Sequence, residues 1–176
     1  MGLRDTINGW GSTAAERAAP LPCDELIPDP KAVLLRAVDI DAPPAVVYRW
    51  LCQLRFAPYS YDWIDNLGRR SPQQLTLGAD QLEHGQRMVS VFRLAQFEPG
   101  RSITLEQRGR LFGHLGMTYA VSGRGQGGSR LVLRIAWGPP RVPFARALLS
   151  AGDLVMARRQ LLNFKRLAER DAHSGG

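Results

Sequence analysis

Apolar residues fall along the chain in two rhythms, and each predicts its own kind of element. From Ala32 to Ile40 the residues are apolar and rich in β-branched side chains, which suggests a first strand. Asp41-Ala-Pro-Pro44 follows, and proline is tolerated in a first helical turn because those N–H groups have no intrahelical partner. Val46, Val47, Trp50, Leu51 and Leu54 then recur at helical spacing and give one buried stripe that ends near Arg55 to Pro58. Between 67 and 86, Gly68, Ser71-Pro72, Gly78 and Gly85 supply turn chemistry with room for at most a short strand.

From Arg87 the period changes to that of strands, over 87–97, 101–108, 115–122 and 130–137, separated by Glu98-Pro-Gly100, by 109–113 and by the Gly-rich 123–128. Consecutive strands with short links predict an antiparallel meander. Alternation sorts the faces: Met117, Tyr119 and Val121, with Leu131, Leu133, Ile135 and Trp137, fall on an apolar side opposite Thr118, Arg130 and Arg134. The same count puts Arg93 on a face with Val89, Val91 and Phe97. Glu106 is expected to pair with Arg134 or Arg108 on the outer side.

The last segment is helical. Leu154, Ala157, Leu161, Phe164 and Ala168 follow at steps of three or four, with Asp153 as the expected N-cap and Pro143 to Leu149 as a lead-in helix or lid. This apolar side must be buried, and the open face of the sheet is the surface large enough to receive it. Residues 1–30 read as an arm: Thr13-Ala-Ala-Glu16 is a capping box, Pro20 stops the helix it starts, and a proline-rich lead-in crosses the domain surface. Residues 31–171 form one domain and 172–176 a frayed tail.

Composition narrows the function. The chain of 176 residues carries a net charge of +7, but the excess is spread out, so the basic residues read as a solvated surface and no nucleic-acid partner is expected. No apolar run reaches the roughly 20 residues that span a bilayer, and the N-terminal residues show no secretory pattern, so a cytoplasmic location is expected. Cys23 and Cys52 are too far apart for a metal or redox motif and are expected as reduced thiols; His84, His114 and His173 lack ligand spacing. Neither a metal nor a cofactor is expected.

The densest meeting of aromatic and polar groups is Tyr59-Ser60-Tyr61-Asp62-Trp63-Ile64-Asp65-Asn66, just after the first long helix. Together with Val38-Asp-Ile-Asp-Ala-Pro-Pro44, Trp50-Leu51 and the helix from Asp153 to Glu169, it resembles a bacterial subgroup of the START-like, or SRPBCC, superfamily. The resemblance covers residues 32–170 and Gly9-Trp10-Gly11; Leu54-Arg-Phe-Ala-Pro58 stands where similar sequences carry a Gly-rich turn. It implies an α+β helix-grip fold, a curved antiparallel sheet wrapped around a long C-terminal helix, with two short helices after the first strand. It also implies a cavity between sheet and helix.

Such a cavity suits a hydrophobic small molecule, namely a lipid, a sterol-like compound or an aromatic polyketide, oriented by a few polar groups. Ligand contacts are expected from Tyr59, Tyr61, Trp63, Arg93, Met117, Tyr119, Leu133 and Trp137. Two functions lead, a carrier without catalysis or a polyketide cyclase/dehydratase in which Asp62, Asp65 or Tyr61 transfers a proton, ahead of a third, an interaction or nucleic-acid-binding domain using the Arg-rich terminal helix. Against the second, Asp65-Asn66 would serve equally as a helix cap, and Tyr and Trp commonly anchor a short helix to a core.

Overall fold

The first strand, β1 (Ala32–Ile40), pairs with the last, β6 (Gly128–Trp137), rather than with its successor. The computed structural model describes residues 9–65, 68–89, 91–109, 113–138 and 145–174, with the side chains of 64–65 and 145–154 outside that description. Four further strands, β2 (Arg87–Met88), β3 (Phe92–Glu98), β4 (Ser102–Gly109) and β5 (Gly113–Arg124), complete one antiparallel sheet in the order β1-β6-β5-β4-β3-β2. The expected strand over 87–97 is therefore two. A turn with Val89 at φ 41° separates them, a conformation that a β-branched residue adopts only under tertiary constraint.

The sheet has two covered faces. Its inner face receives α5 (Ala145–Ser174), and Leu161, Phe164, Leu167 and Ala168 of that helix join Leu131, Leu133, Tyr119 and Ile103 in the main core. Asp153 lies inside this helix and is not its N-cap. No proline occurs between 145 and 174, and the single interior Gly152 costs only about 1 kcal/mol against alanine, so the lead-in and the terminal helix run on as one. Residues 172–174 are helical too, held where the Ser174 hydroxyl donates to the Arg170 carbonyl (2.9 Å), and Ala172 packs on the core.

The outer face receives the N-terminal arm. Its two short helices are α1 (Ala14–Ala18), opened by the expected Thr13–Glu16 capping box, and α2 (Pro22–Leu26). Cys23, Ile27 and Ala136 form a second small core there, and the Cys23 backbone N–H donates to the Thr118 hydroxyl (3.0 Å). Ion pairs Glu16–Arg130 (2.7 Å) and Asp24–Arg134 (2.9 Å) fasten the two helices to β6. Gly11 has φ +70° and approaches so closely that a Cβ would stand 2.1 Å from the Ala37 carbonyl oxygen. Glu106 pairs with Arg108 (2.8 Å) and with His114 (2.6 Å); His114 lies on β5 rather than in a loop, and Arg134 is engaged by the arm.

Between the layers, α3 (Pro44–Cys52) carries the predicted stripe, with Val47, Trp50 and Leu51 buried, and continues as a single 3-10 turn through Arg55. Trp50 donates its indole N–H to Asp171 of α5 (3.0 Å), which ties the two helices. The short α4 (Asp62–Asp65) completes the element order.

Candidate functional site

Residues directly opposite in an antiparallel sheet share a face, so the register names every inward side chain. One row runs across five strands: Arg36 opposite Leu133, Leu133 opposite Tyr119, Tyr119 opposite Ile103, and Ile103 opposite Phe97. Next to it run Leu34, Ile135, Met117 and Leu105. Met117, Tyr119, Leu133 and Trp137 thus all point inward, as alternation in the sequence predicts. Arg93 does not. The register shifts between Leu94 and Gln96, and this bulge brings Phe97 inward together with Phe92 and Leu94. Arg93 is left on the outer side opposite Glu106, exposed, donating to the Gly85 carbonyl (2.9 Å).

Polar groups lie inside this apolar layer. The Tyr119 hydroxyl donates to Gln160 Oε1 of α5 (2.7 Å), and Gln160 Nε2 donates to the Pro58 carbonyl (2.5 Å). Asn163, one position short of a turn further along the helix, donates to the Tyr59 carbonyl (2.8 Å). The segment between α3 and α4 is therefore hung on the terminal helix by its carbonyls. Tyr59 itself is 1% exposed, adopts φ 57°, and inserts its ring between Trp50 (6.0 Å, edge-on) and Phe164 (5.3 Å). Its hydroxyl has no hydrogen-bond partner among the described residues, and burial, reinforced by the charge of Asp62, raises its pKa well above the ordinary tyrosine range.

Asp62 and Trp63 of the aromatic stretch face away from the layer. Asp62 accepts from both the backbone N–H (2.9 Å) and the hydroxyl (2.5 Å) of Ser71, which staples the loop after α4 to its start. Tyr61 is half-buried beneath the Arg159 guanidinium (6.0 Å), and Trp63 is 75% exposed. The Asp65 side chain and Asn66 lie outside the described residues. The stretch read as one cluster of chemistry separates by side: Tyr59 inward, Asp62 into a loop clip, Trp63 into solvent.

Two inward residues were missed in the sequence. Arg36 is fully buried on the inner face of β1, and Gln160 on the inner side of α5. The signal for Arg36 is its parity with Leu34, Val38 and Ile40, hidden because Leu35 and Ala37 make the other face apolar as well. Gln160 falls a step of three after Ala157 and four before Phe164. Elsewhere, Cys23 and Cys52 are both free and buried, and burial pushes the Cys52 thiol up to about 12. Among the described residues no three His, Cys, Asp or Glu side chains gather as a metal site, and no helix is long and apolar enough to cross a membrane.

No family model and no curated protein matches the chain. Solved structures do. The hypothetical protein jhp0584 from Helicobacter pylori superposes with a TM-score of 0.52 over 86% of this chain and 96% of that one, at 11% identity. The shared architecture is a helix-grip α+β fold. The protein XoxI from Bacillus cereus shares it with a TM-score of 0.51, 17% identity and coverage of 78% and 95%. So does the di-domain ARO/CYC BexL of the BE-7585A biosynthetic pathway, with a TM-score of 0.51, 15% identity and coverage of 78% of this chain. The chain spans 46% of that protein's length. At these identities the helix-grip likeness carries the fold and leaves the chemistry to the residues themselves.

Proposed function

We propose that this helix-grip protein binds a hydrophobic small molecule, a lipid, sterol-like compound or aromatic polyketide, between the inner face of its sheet and α5. The observation that supports it most is the unpartnered Tyr59 hydroxyl, fully buried beside Phe164 in a layer that also buries Tyr119 and Gln160. An unsatisfied buried hydroxyl costs about 1–3 kcal/mol, a penalty that a ligand accepting its hydrogen bond removes. The apolar body of such a ligand would lie against Leu133, Ile103 and Met117, and entry would require the segment at Pro58–Tyr59 to part from α5. Native mass spectrometry of gently purified protein, followed by extraction and a panel of fatty acids, sterols and aromatic polyketides, tests this. A co-purifying or added hydrophobic compound at one per chain is the expected result; an empty protein that takes none of the panel refutes the reading.

A cyclase/dehydratase reading has one feature in its favour, the two tyrosine hydroxyls of the inner layer. Asp62 is held by Ser71, so the proton-handling groups inside are Tyr59, whose hydroxyl would polarise a substrate carbonyl by donating to it, and Tyr119, which would do so only by giving up its bond to Gln160 Oε1. The likeness to a di-domain ARO/CYC supports the same reading at the level of fold. Turnover of a poly-β-ketone substrate that survives both Tyr59→Phe and Tyr119→Phe would exclude it, and Asp62→Asn is expected to leave turnover intact.

A further inference from the structure

Helix α5 has two unlike sides. Leu161, Phe164, Leu167 and Ala168 turn inward to the core, and the outward side is basic. From Val155 to Ala168 the helix carries Arg158, Arg159, Lys165 and Arg166 and no acidic residue. Lys165 pairs with Glu169 (2.5 Å), and the Arg158 guanidinium lies over the Trp10 ring of the arm (5.2 Å). Arg159 and Arg166 are exposed and have no carboxylate partner among the described residues: the first lies over the Tyr61 ring (6.0 Å), the second donates to Gln73 Oε1 (2.8 Å). Val155 and Leu162 lie on the same side, since 155, 159, 162 and 166 follow at steps of four and three, and they are 53% and 37% exposed. The contacts to Tyr61 and Gln73 place the α4 segment beside this ridge. There Asp62 accepts from the Gly68 N–H with its carbonyl (2.8 Å) and from Ser71 with its carboxylate, which returns Arg70 to the neighbourhood of Trp63. Trp63 is 75% exposed, and Arg70 is exposed without a carboxylate partner among the described residues.

We infer that Trp63 and Arg70, together with Val155, Arg159, Leu162 and Arg166, form a docking surface for an anionic lipid bilayer. Charge complementarity carries the assignment: three arginines without carboxylate partners among the described residues face outward around an exposed indole, and a guanidinium meets lipid phosphates in two parallel bonds. An indole settles at the level of the headgroups, its ring in the apolar boundary and its N–H toward water. Val155 and Leu162 add the aliphatic area that such a boundary buries. A nucleic acid would engage the arginines and stack on Trp63, but it gives the two aliphatic side chains nothing to bury against. The surface lies on the outward side of α5, so the inference is independent of the interior ligand proposed above and holds even for an empty core.

The test is co-sedimentation of the intact protein with vesicles of phosphatidylcholine alone and with vesicles in which about a third of the lipid is phosphatidylglycerol. Binding to the anionic vesicles is expected to be at least about tenfold tighter than to the neutral ones and to weaken as salt is added. Arg159→Gln and Arg166→Gln are each expected to lower it about fivefold, and Trp63→Ala, which leaves the charge alone, to lower it several-fold. Arg101→Gln makes the same change of charge on the far hairpin between β3 and β4 and is expected to leave binding within about twofold. These side chains are exposed, so the fold is not at stake in any variant. No binding to the anionic vesicles, equal binding to both kinds, or a loss from Arg101→Gln as large as that from Arg159→Gln overturns the inference. A single-stranded oligonucleotide whose binding Trp63→Ala and Arg159→Gln weaken more than they weaken vesicle binding assigns the surface to nucleic acid and overturns it as well.

Discussion

Tyr59 concentrates at one residue what the helix-grip interior does everywhere: it buries a polar atom in apolar company. Its backbone stands at φ 57°, a left-handed conformation that a bulky side chain adopts at a cost of about 1 kcal/mol or more, its ring lies between Trp50 and Phe164, and its hydroxyl is buried. Tyr59→Phe removes the unsatisfied hydroxyl and nothing else. The expected outcome is a melting temperature unchanged or raised, a gain of up to about 1 kcal/mol, together with weaker ligand binding. A tyrosine kept only for packing would show the first effect without the second. The sequence marks Tyr59 as part of an aromatic cluster, but no residue pattern announces a tyrosine in the left-handed region, so its direction was not legible. Arg36 differs: its parity with Ile40 is written in the strand, and only the apolar character of both faces of β1 obscures it.

At the scale of elements, strand alternation succeeded wherever the ladder is regular and failed where it slips. Met117, Tyr119, Leu133 and Trp137 sit on strands paired without interruption; Arg93 precedes the shift between Leu94 and Gln96, which separates it from the inward Phe97 and leaves it on the outer face. Helix α5 was legible as a stripe but not in extent, because a lone interior glycine weakens a helix without ending it. Phe164 is the element's central anchor, fully buried and packed at a tilt against the Tyr59 ring. Phe164→Ala is expected to destabilise the fold by about 3–5 kcal/mol in chemical denaturation. The arm offers a contrast in kind. The Arg130 hydrogen bond holds the Glu16 carboxyl down to about 2 from its ordinary 4.5, despite the opposing effect of partial burial. A depressed pKa contributes stability that is complete above 4.5 and fades as the pH falls toward 2. Glu16→Gln should therefore cost about 1–2 kcal/mol at neutral pH and flatten the acid limb of the stability profile across that window.

For the molecule as a whole, the sheet is clad on both sides, by α5 within and by the arm without, so every strand of its middle is read twice by packing. The overall architecture was legible because period and punctuation agree along the chain; the direction of the arm was not, since its hold on the outer face depends on Cys23 meeting Thr118 and on Gly11 meeting Ala37, contacts between distant residues. Native mass spectrometry is the measurement at this scale. The arm also reaches past the face to the margin of the sheet. The Ala37 N–H on the free side of β1 donates to the Trp10 carbonyl (3.0 Å), and the Asp39 carbonyl on the same margin accepts from Lys165 (2.8 Å). At the opposite margin, β2 offers only two residues. Among the described residues these contacts engage Ala37 and Asp39 on one margin and put the short β2 on the other, which limits the backbone groups left open to strand-to-strand pairing with another chain.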